Sequence, residues 1–260
     1  GSRILAGIAA PCALAGLVVI LVGEGHALGV KQASARLGTF VLRSIAALAI
    51  GYLVMGLLWP WSVLAPLNPI RAAEYFDTFF EKPWREMYAG KLFAVTQMPA
   101  SYLPHLFVLK LPEIMLALGL AGTVGTLIAI GSCKLPLTRR ANLLLVAASA
   151  FLPVIIAMLT HPALYNGLRH FVFVVPSFAV LGGLAGAWVL CRAKAFGTGA
   201  VAAVTTVLIG GLILPVSEMV RLHPYQYTAF NSASGGVRMA HDNYMLDYWG
   251  LAFKQAADEL

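Results

Sequence analysis

Residues 141–160, ANLLLVAASAFLPVIIAMLT, form an apolar stretch without a single charged side chain. A transmembrane α-helix needs about 20 predominantly apolar residues to cross the hydrocarbon core of a bilayer. Five other stretches meet this criterion, and the six predicted spans are 4–23, 44–65, 111–131, 141–160, 171–190 and 199–216. Only 11% of the 260 residues are charged, against about 25% in a typical soluble domain. The sequence therefore predicts an all-α polytopic membrane protein with about six transmembrane helices.

The start of the chain indicates that more sequence precedes it. The chain begins with Gly1 and Ser2 rather than Met, and only Arg3 stands before the first apolar run. That run is longer than the apolar core of a typical signal peptide. We therefore expect residues 4–23 to be a true span and the natural protein to begin upstream.

Charge is distributed unevenly over the connections between the predicted spans. The connections that follow spans one, three and five contain one acidic residue, Glu24, and eight basic residues, which are Lys31, Arg36, Arg43, Lys134, Arg139, Arg140, Arg192 and Lys194. The rest of the chain has ten basic and ten acidic residues. Since short basic loops stay on the cytoplasmic side of a membrane, both termini, the loop 66–110 and the tail 217–260 are predicted to face outward.

The distribution of charged residues also limits the functions that the sequence predicts. The net charge of +7 comes from 18 scattered Lys and Arg residues, so it is explained by membrane orientation and no nucleic-acid partner is predicted. The central parts of the six spans contain no ionisable residue, which disfavours a transporter with charged groups near the membrane midplane. Ten of the eleven acidic residues and five of the six His lie in or beside the outward segments. We expect any chemistry to take place there.

Three outward clusters are candidates for that chemistry, and the first is in the loop 66–110. Apolar residues recur near helical spacing between Ile70 and Met87, which predicts an amphipathic helix that lies along the membrane surface and that Pro83 kinks or ends. Asp77, Glu81 and Glu86 are then interpreted as its solvated face in preference to catalytic carboxylates.

The second cluster is HPALYNGLRHFVFVVP at 161–176, which brings Arg169 and His170 to the mouth of an apolar helix. One interpretation is an interfacial anchor, in which Arg169 extends to lipid headgroups. The other is a binding site for a lipid phosphate, which an Arg can hold through two parallel hydrogen bonds. Spacing alone does not decide between them.

The third cluster is the tail 217–260, which is rich in aromatic residues, Asn and Gly. Its acidic and His residues lack a recognisable metal-ligand spacing, so no metal site is predicted and a structural cap is favoured. A possible outer-face site in the tail would consist of His223, Tyr225, Tyr227, Asn231 and Asp247.

Several motifs together resemble a known family. They are WPW at 59–61 with NP at 68–69, MPASYLPHLFVLKLPE at 98–113, LYNGLRHFVFVVPSFAVLGGLAG at 164–186, RLHPYQYTAFNSASGGV at 221–237 and LDYWG at 246–250. From about Leu58 onward the chain resembles the C-terminal half of bacterial glycosyltransferases of family 39 and the related aminoarabinose transferases, which have the GT-C fold.

The resemblance implies a function and a location. The full protein would move a sugar from a polyprenyl-phosphate donor to an acceptor on the outer face of the bacterial inner membrane. The alternative is a non-enzymatic membrane subunit or carrier that binds polyprenyl lipids. The presumed catalytic Asp of this family lies in the first outer loop of the full protein, and no residue here matches it, so the role is not transferred to Asp77. The catalytic residue and any cofactor stay unassigned, and we expect this chain alone to be inactive.

Overall fold

The structure, a computed structural model, describes residues 29–77, 84–132, 134–247 and 250–260. This part of the chain is mainly α-helical and contains one two-stranded antiparallel hairpin, β1 (Arg85–Tyr88) and β2 (Lys91–Ala94). The α-helices are α1 (Val30–Leu58), α2 (Trp61–Leu64), α3 (Asn68–Asp77), α4 (Tyr102–Lys110), α5 (Glu113–Gly131), α6 (Leu137–Thr160), α7 (Val175–Ala193), α8 (Thr198–Arg221), α9 (Gly236–Ala240) and α10 (Ala252–Asp258).

Five of these elements are long and apolar enough to cross a membrane. They are α1, α5, α6, α8 and the segment Val172–Phe196, in which α7 is flanked by short 3₁₀ turns. The prediction of an all-α polytopic membrane protein is confirmed. The first predicted span, 4–23, lies outside the described residues. The second is predicted at 44–65, but α1 begins at Val30 and ends at Leu58, so Lys31, Arg36 and Arg43 are part of a helix rather than of a loop.

Close contact between α5 and α7 holds the centre of the bundle together. A side chain at Gly122 would overlap the backbone of Leu181, and one at Gly119 would overlap the ring of Phe178. Small residues let two helix backbones approach closely, which favours association inside a membrane. In contrast, neither α1 nor α8 has a buried residue.

One end of the bundle is covered by three segments that are far apart in sequence, and we call them the capping layer: 84–110, 161–171 and 222–247. Their shared core contains four large residues that are almost fully buried, Tyr102, Leu103, Phe171 and Phe230. The layer lies where α6 ends and α7 begins. The basic connections between α5 and α6 and between α7 and α8 are therefore at the opposite end of the bundle.

The predicted interfacial helix does not continue beyond Pro83 to Met87, because Arg85–Tyr88 is the strand β1. Ala89 and Gly90 have φ values of +50° and +73°, the conformation of a two-residue hairpin turn. Side chains alternate between the two faces of a strand, and in β1 the buried face holds Glu86 and Tyr88. The interpretation of Glu86 as part of a solvated face is therefore also wrong.

Candidate functional site

Glu86 is a buried carboxylate that joins three parts of the capping layer. Its side chain is 2% exposed. Its Oε1 accepts a hydrogen bond from the Tyr102 hydroxyl of α4 at 2.6 Å, and its Oε2 accepts one from the backbone N–H of Asn166 at 2.6 Å. The Tyr102 hydroxyl in turn accepts a hydrogen bond from the Gly167 N–H at 3.0 Å. The hairpin, α4 and the loop 161–171 are thereby fixed to one another.

The loop reaches Glu86 through a tight turn at Asn166 and Gly167. Their φ values are +57° and +67°, a backbone region in which Asn and Gly are the most favoured residues. The turn directs two consecutive N–H groups at the Glu86–Tyr102 pair. It also runs beside Lys110, because a Cβ at Gly167 would lie 3.9 Å from Lys110 Cε.

Arg169 and His170 follow this turn and are partly exposed. Arg169 Nε donates a hydrogen bond to His170 Nε2 at 3.2 Å, which requires that Nε2 carry no proton. Both side chains border the ring of Tyr165, with the guanidinium carbon 5.4 Å and the imidazole centre 4.7 Å from its centroid. Trp84 packs against the same ring in an edge-on arrangement at 5.0 Å. The structure thus brings together the two residues that the sequence predicted as a pair, in an aromatic setting.

Lys110 adds a second cation next to the turn. Its Nζ donates hydrogen bonds to the carbonyl oxygens of Tyr227 and Ala229 at 3.3 and 3.4 Å and lies 4.2 Å from the ring centre of Phe230. Burial lowers the pKa of Lys110 to about 8, although the negative charge of Glu86 opposes this shift.

The electrostatics of Glu86 and Tyr102 reflect their burial. Burial raises the pKa of Glu86, although hydrogen bonds from Tyr102, Asn166 and Gly167 and the charge of Arg169 act in the opposite direction. Burial and the neighbouring Glu86 also raise the pKa of the Tyr102 hydroxyl. The Tyr102 hydroxyl therefore keeps its proton and acts as the donor toward the Glu86 carboxylate.

The five residues predicted as a possible site in the tail each make hydrogen bonds within the described part of the chain, and two of them, Tyr227 and Asp247, bond directly to each other. Tyr227 donates a hydrogen bond to Asp247 at 2.6 Å, and Asp247 also accepts from the Gly250 N–H. Tyr225 bonds to Gln255 and His223 to Gln226. Buried Asn231 donates to the carbonyl oxygens of Val108 and Leu111 and so attaches the tail to α4. These are contacts that hold the tail in place.

Sequence reasoning missed Glu86, Tyr102 and Lys110. For Glu86 the sequence did contain a usable signal. Two short strand-forming stretches flank Ala89–Gly90, and this is the spacing of a β-hairpin with a two-residue turn. No group of three or more His, Cys, Asp or Glu residues able to hold a metal ion occurs among the residues that the structure describes.

The arrangement is suited to binding an anion at the end of an apolar bundle. Arg169 supplies a forked, permanently charged donor set, and His170 and Lys110 add polar and cationic groups nearby. Known protein families, curated proteins and solved structures give no match to this chain.

Proposed function

We propose that this chain is the C-terminal portion of a membrane glycosyltransferase that takes a sugar from a polyprenyl-phosphate donor, and that Arg169 and His170 hold the phosphate of that lipid. The observation that carries the proposal is the position of these two partly exposed side chains, in the loop that joins two spanning helices. A lipid whose tail lies along the apolar helices would place its phosphate at the level of this loop.

The chemistry of the two residues fits this ligand. A guanidinium donates two parallel hydrogen bonds to a phosphate, and such charge-assisted bonds contribute about 1.5–3 kcal/mol each. Lys110, which lies beside the same turn, raises the local positive potential. In the transfer reaction, cations at this place would stabilise the negative charge that develops on the departing lipid phosphate.

The transferase part of the proposal rests on the motif resemblance, and so does its place on the outer face of the bacterial inner membrane. Eight basic residues at the opposite end of the bundle, or in the first half of α1, support the same orientation. The capping layer and the tail would then face outward.

Arg169→Ala is expected to weaken binding of a polyprenyl monophosphate by about tenfold or more, because the forked contact is lost. Arg169→Lys should restore only part of the affinity, since it keeps the charge but not the fork. Binding is measured on the chain in lipid nanodiscs, with the uncharged polyprenol as the reference ligand.

Arg238→Ala is the matched control, because Arg238 is an arginine of α9 in the same capping layer. It should leave the affinity unchanged. If Arg169→Ala binds the phosphate lipid as tightly as the parent chain and merely accumulates at lower levels, Arg169 is an interfacial anchor and the proposal is withdrawn.

A non-enzymatic lipid-binding subunit or carrier is the second candidate, because lipid binding by Arg169 and His170 needs no general base and Glu86 does not supply one. Both oxygens of this carboxylate already accept short hydrogen bonds and its side chain is 2% exposed, so it is poorly placed to take a proton from an acceptor hydroxyl. A radiolabelled sugar-transfer assay on a longer protein that includes the upstream sequence separates the two functions. Transfer that is lost in Arg169→Ala supports the enzyme, and tight lipid binding without transfer supports the carrier.

A further inference from the structure

We infer that Glu86 and Tyr102 are positioning residues for the phosphate site: they fix the turn at Asn166 and Gly167 so that Arg169 and His170 keep the orientation in which they bind. This inference rests on the proposed function. It assigns a role in ligand binding to two buried residues that do not touch the ligand.

The contacts that carry the inference are short and specific. Asn166 and Gly167 stand three and two residues before Arg169, and each donates its backbone N–H to one member of the Glu86–Tyr102 pair, at 2.6 and 3.0 Å. The pair is itself joined at 2.6 Å and almost fully buried. Both turn residues have positive φ, and the two hydrogen bonds hold their backbone N–H groups in place. They thereby fix the direction in which the chain leaves the turn toward Arg169. A binding group needs such supporting contacts to hold its geometry.

For the variant Glu86→Gln, a purely electrostatic role and a positioning role of Glu86 predict opposite changes in phosphate affinity. The negative charge of Glu86 is close enough to interact with Arg169, and it therefore opposes the binding of an anion there. If Glu86 acted only through its charge, Glu86→Gln would strengthen phosphate binding. If Glu86 positions the turn, the same variant weakens binding, because an amide cannot accept hydrogen bonds at both of its terminal atoms.

Glu86→Gln and Tyr102→Phe are each expected to weaken binding of a polyprenyl monophosphate by about fivefold to tenfold, as is common when a group that supports a binding residue is altered. Tyr102→Phe keeps the ring but removes a hydrogen bond that lowers the pKa of Glu86. Its electrostatic effect would therefore be to favour protonation of Glu86 and to strengthen anion binding, so weaker binding indicates positioning. The variant also serves as the test if Glu86→Gln does not fold. Affinity is measured in nanodiscs, and thermal unfolding is recorded for every variant.

Glu113→Gln is the matched control. The Glu113 carboxylate also accepts a hydrogen bond from a backbone N–H, that of Ala233 at 2.9 Å, but it supports the tail and not the loop 161–171. Glu113 is the acidic residue in the first turn of α5, and the loss of its negative charge at a helix N-terminus should lower the unfolding temperature, while the affinity changes by less than about twofold. A purely structural role for Glu86 would make the Glu86 and Glu113 variants behave alike.

A double-mutant cycle with Arg169→Ala completes the test. If Glu86 and Tyr102 act through Arg169 and His170, their variants have a much smaller effect on affinity in the Arg169→Ala background than in the parent chain, because only His170 is left to be positioned. The inference is overturned if Arg169→Ala weakens binding while Tyr102→Phe does not, or if the effects of the single variants add. When Arg169→Ala itself has no effect, the proposed phosphate site fails, and the inference that depends on it fails with it.

Discussion

Lys110 is a half-buried amine whose charge depends on the fold. Burial lowers its pKa from 10.5 to about 8. A base with a depressed pKa in the folded state adds stability above its unfolded pKa and loses it as the pH falls through the folded value. Protonation of Lys110 therefore opposes folding as the pH is lowered from about 10.5 to about 8 and below.

The pH dependence of unfolding tests this residue. From about pH 9.5 to about pH 7, the parent chain should lose thermal stability, and Lys110→Met should lose clearly less because it carries no titratable amine. Thermal unfolding in detergent at several pH values measures this difference in stability. Glu86, the other titratable group beside Lys110, is present in both proteins. Lys91→Met, which removes an exposed lysine from β2, should follow the parent curve. Parallel curves for the parent chain and Lys110→Met would contradict the assignment.

Among the secondary-structure elements, α5 and α7 approach each other closely at Gly122. Gly122 and Gly125 are both on α5, but only Gly122 faces the backbone of α7, and nothing lies within 4 Å of a Cβ built on Gly125. The two positions therefore separate the effect of helix contact from the effect of a change in helix propensity.

Gly122→Val is expected to destabilise the bundle by about 2 kcal/mol or more, because α5 and α7 must move apart to make room. Gly125→Val should change stability by less than about 0.5 kcal/mol, as is usual for an outward-facing site. Unfolding by a denaturing detergent compares the two variants. Equal destabilisation would mean that α5 and α7 do not meet at Gly122.

The elements differ in how far the sequence could predict them. Runs such as 141–160 predict the spanning helices well, because an uncharged apolar stretch of this length is typical of a helix that crosses a bilayer. The stretch read as helical extends to Met87 because the apolar spacing up to Trp84 is continued too far, although the Ala89–Gly90 turn just beyond it indicates a hairpin. Its partner Asn166 lies 80 residues away, and no local pattern in a single sequence connects the two. Arg169 and His170 could be proposed as candidates from the sequence because they are adjacent polar residues at the mouth of an apolar helix.

For the molecule as a whole, the two ends of the bundle differ in charge and in structure. One end has the capping layer, and the other has the basic connections that contain Lys134, Arg139, Arg140, Arg192 and Lys194. The proposed orientation places the capped end outside the cell.

Labelling in intact bacterial cells tests that orientation. In a background without cysteine, Lys254→Cys in exposed α10 should react with a membrane-impermeant thiol reagent. Lys134→Cys, between α5 and α6, should react only after the cells are made permeable. The reverse pattern would place the capped end in the cytoplasm.

The long sequence separations within the capping layer also set the order in which the protein can be completed during synthesis. Glu86 meets Asn166 across 80 residues, and Val108 meets Asn231 across 123. At about 5–20 residues per second, a ribosome delivers the partner of Glu86 on the order of 4–16 seconds after Glu86 itself. Until then the hairpin exposes a carboxylate that is later buried. The helices can thus enter the membrane one after another, whereas the capping layer closes only after α8 has been inserted and the tail has emerged behind it.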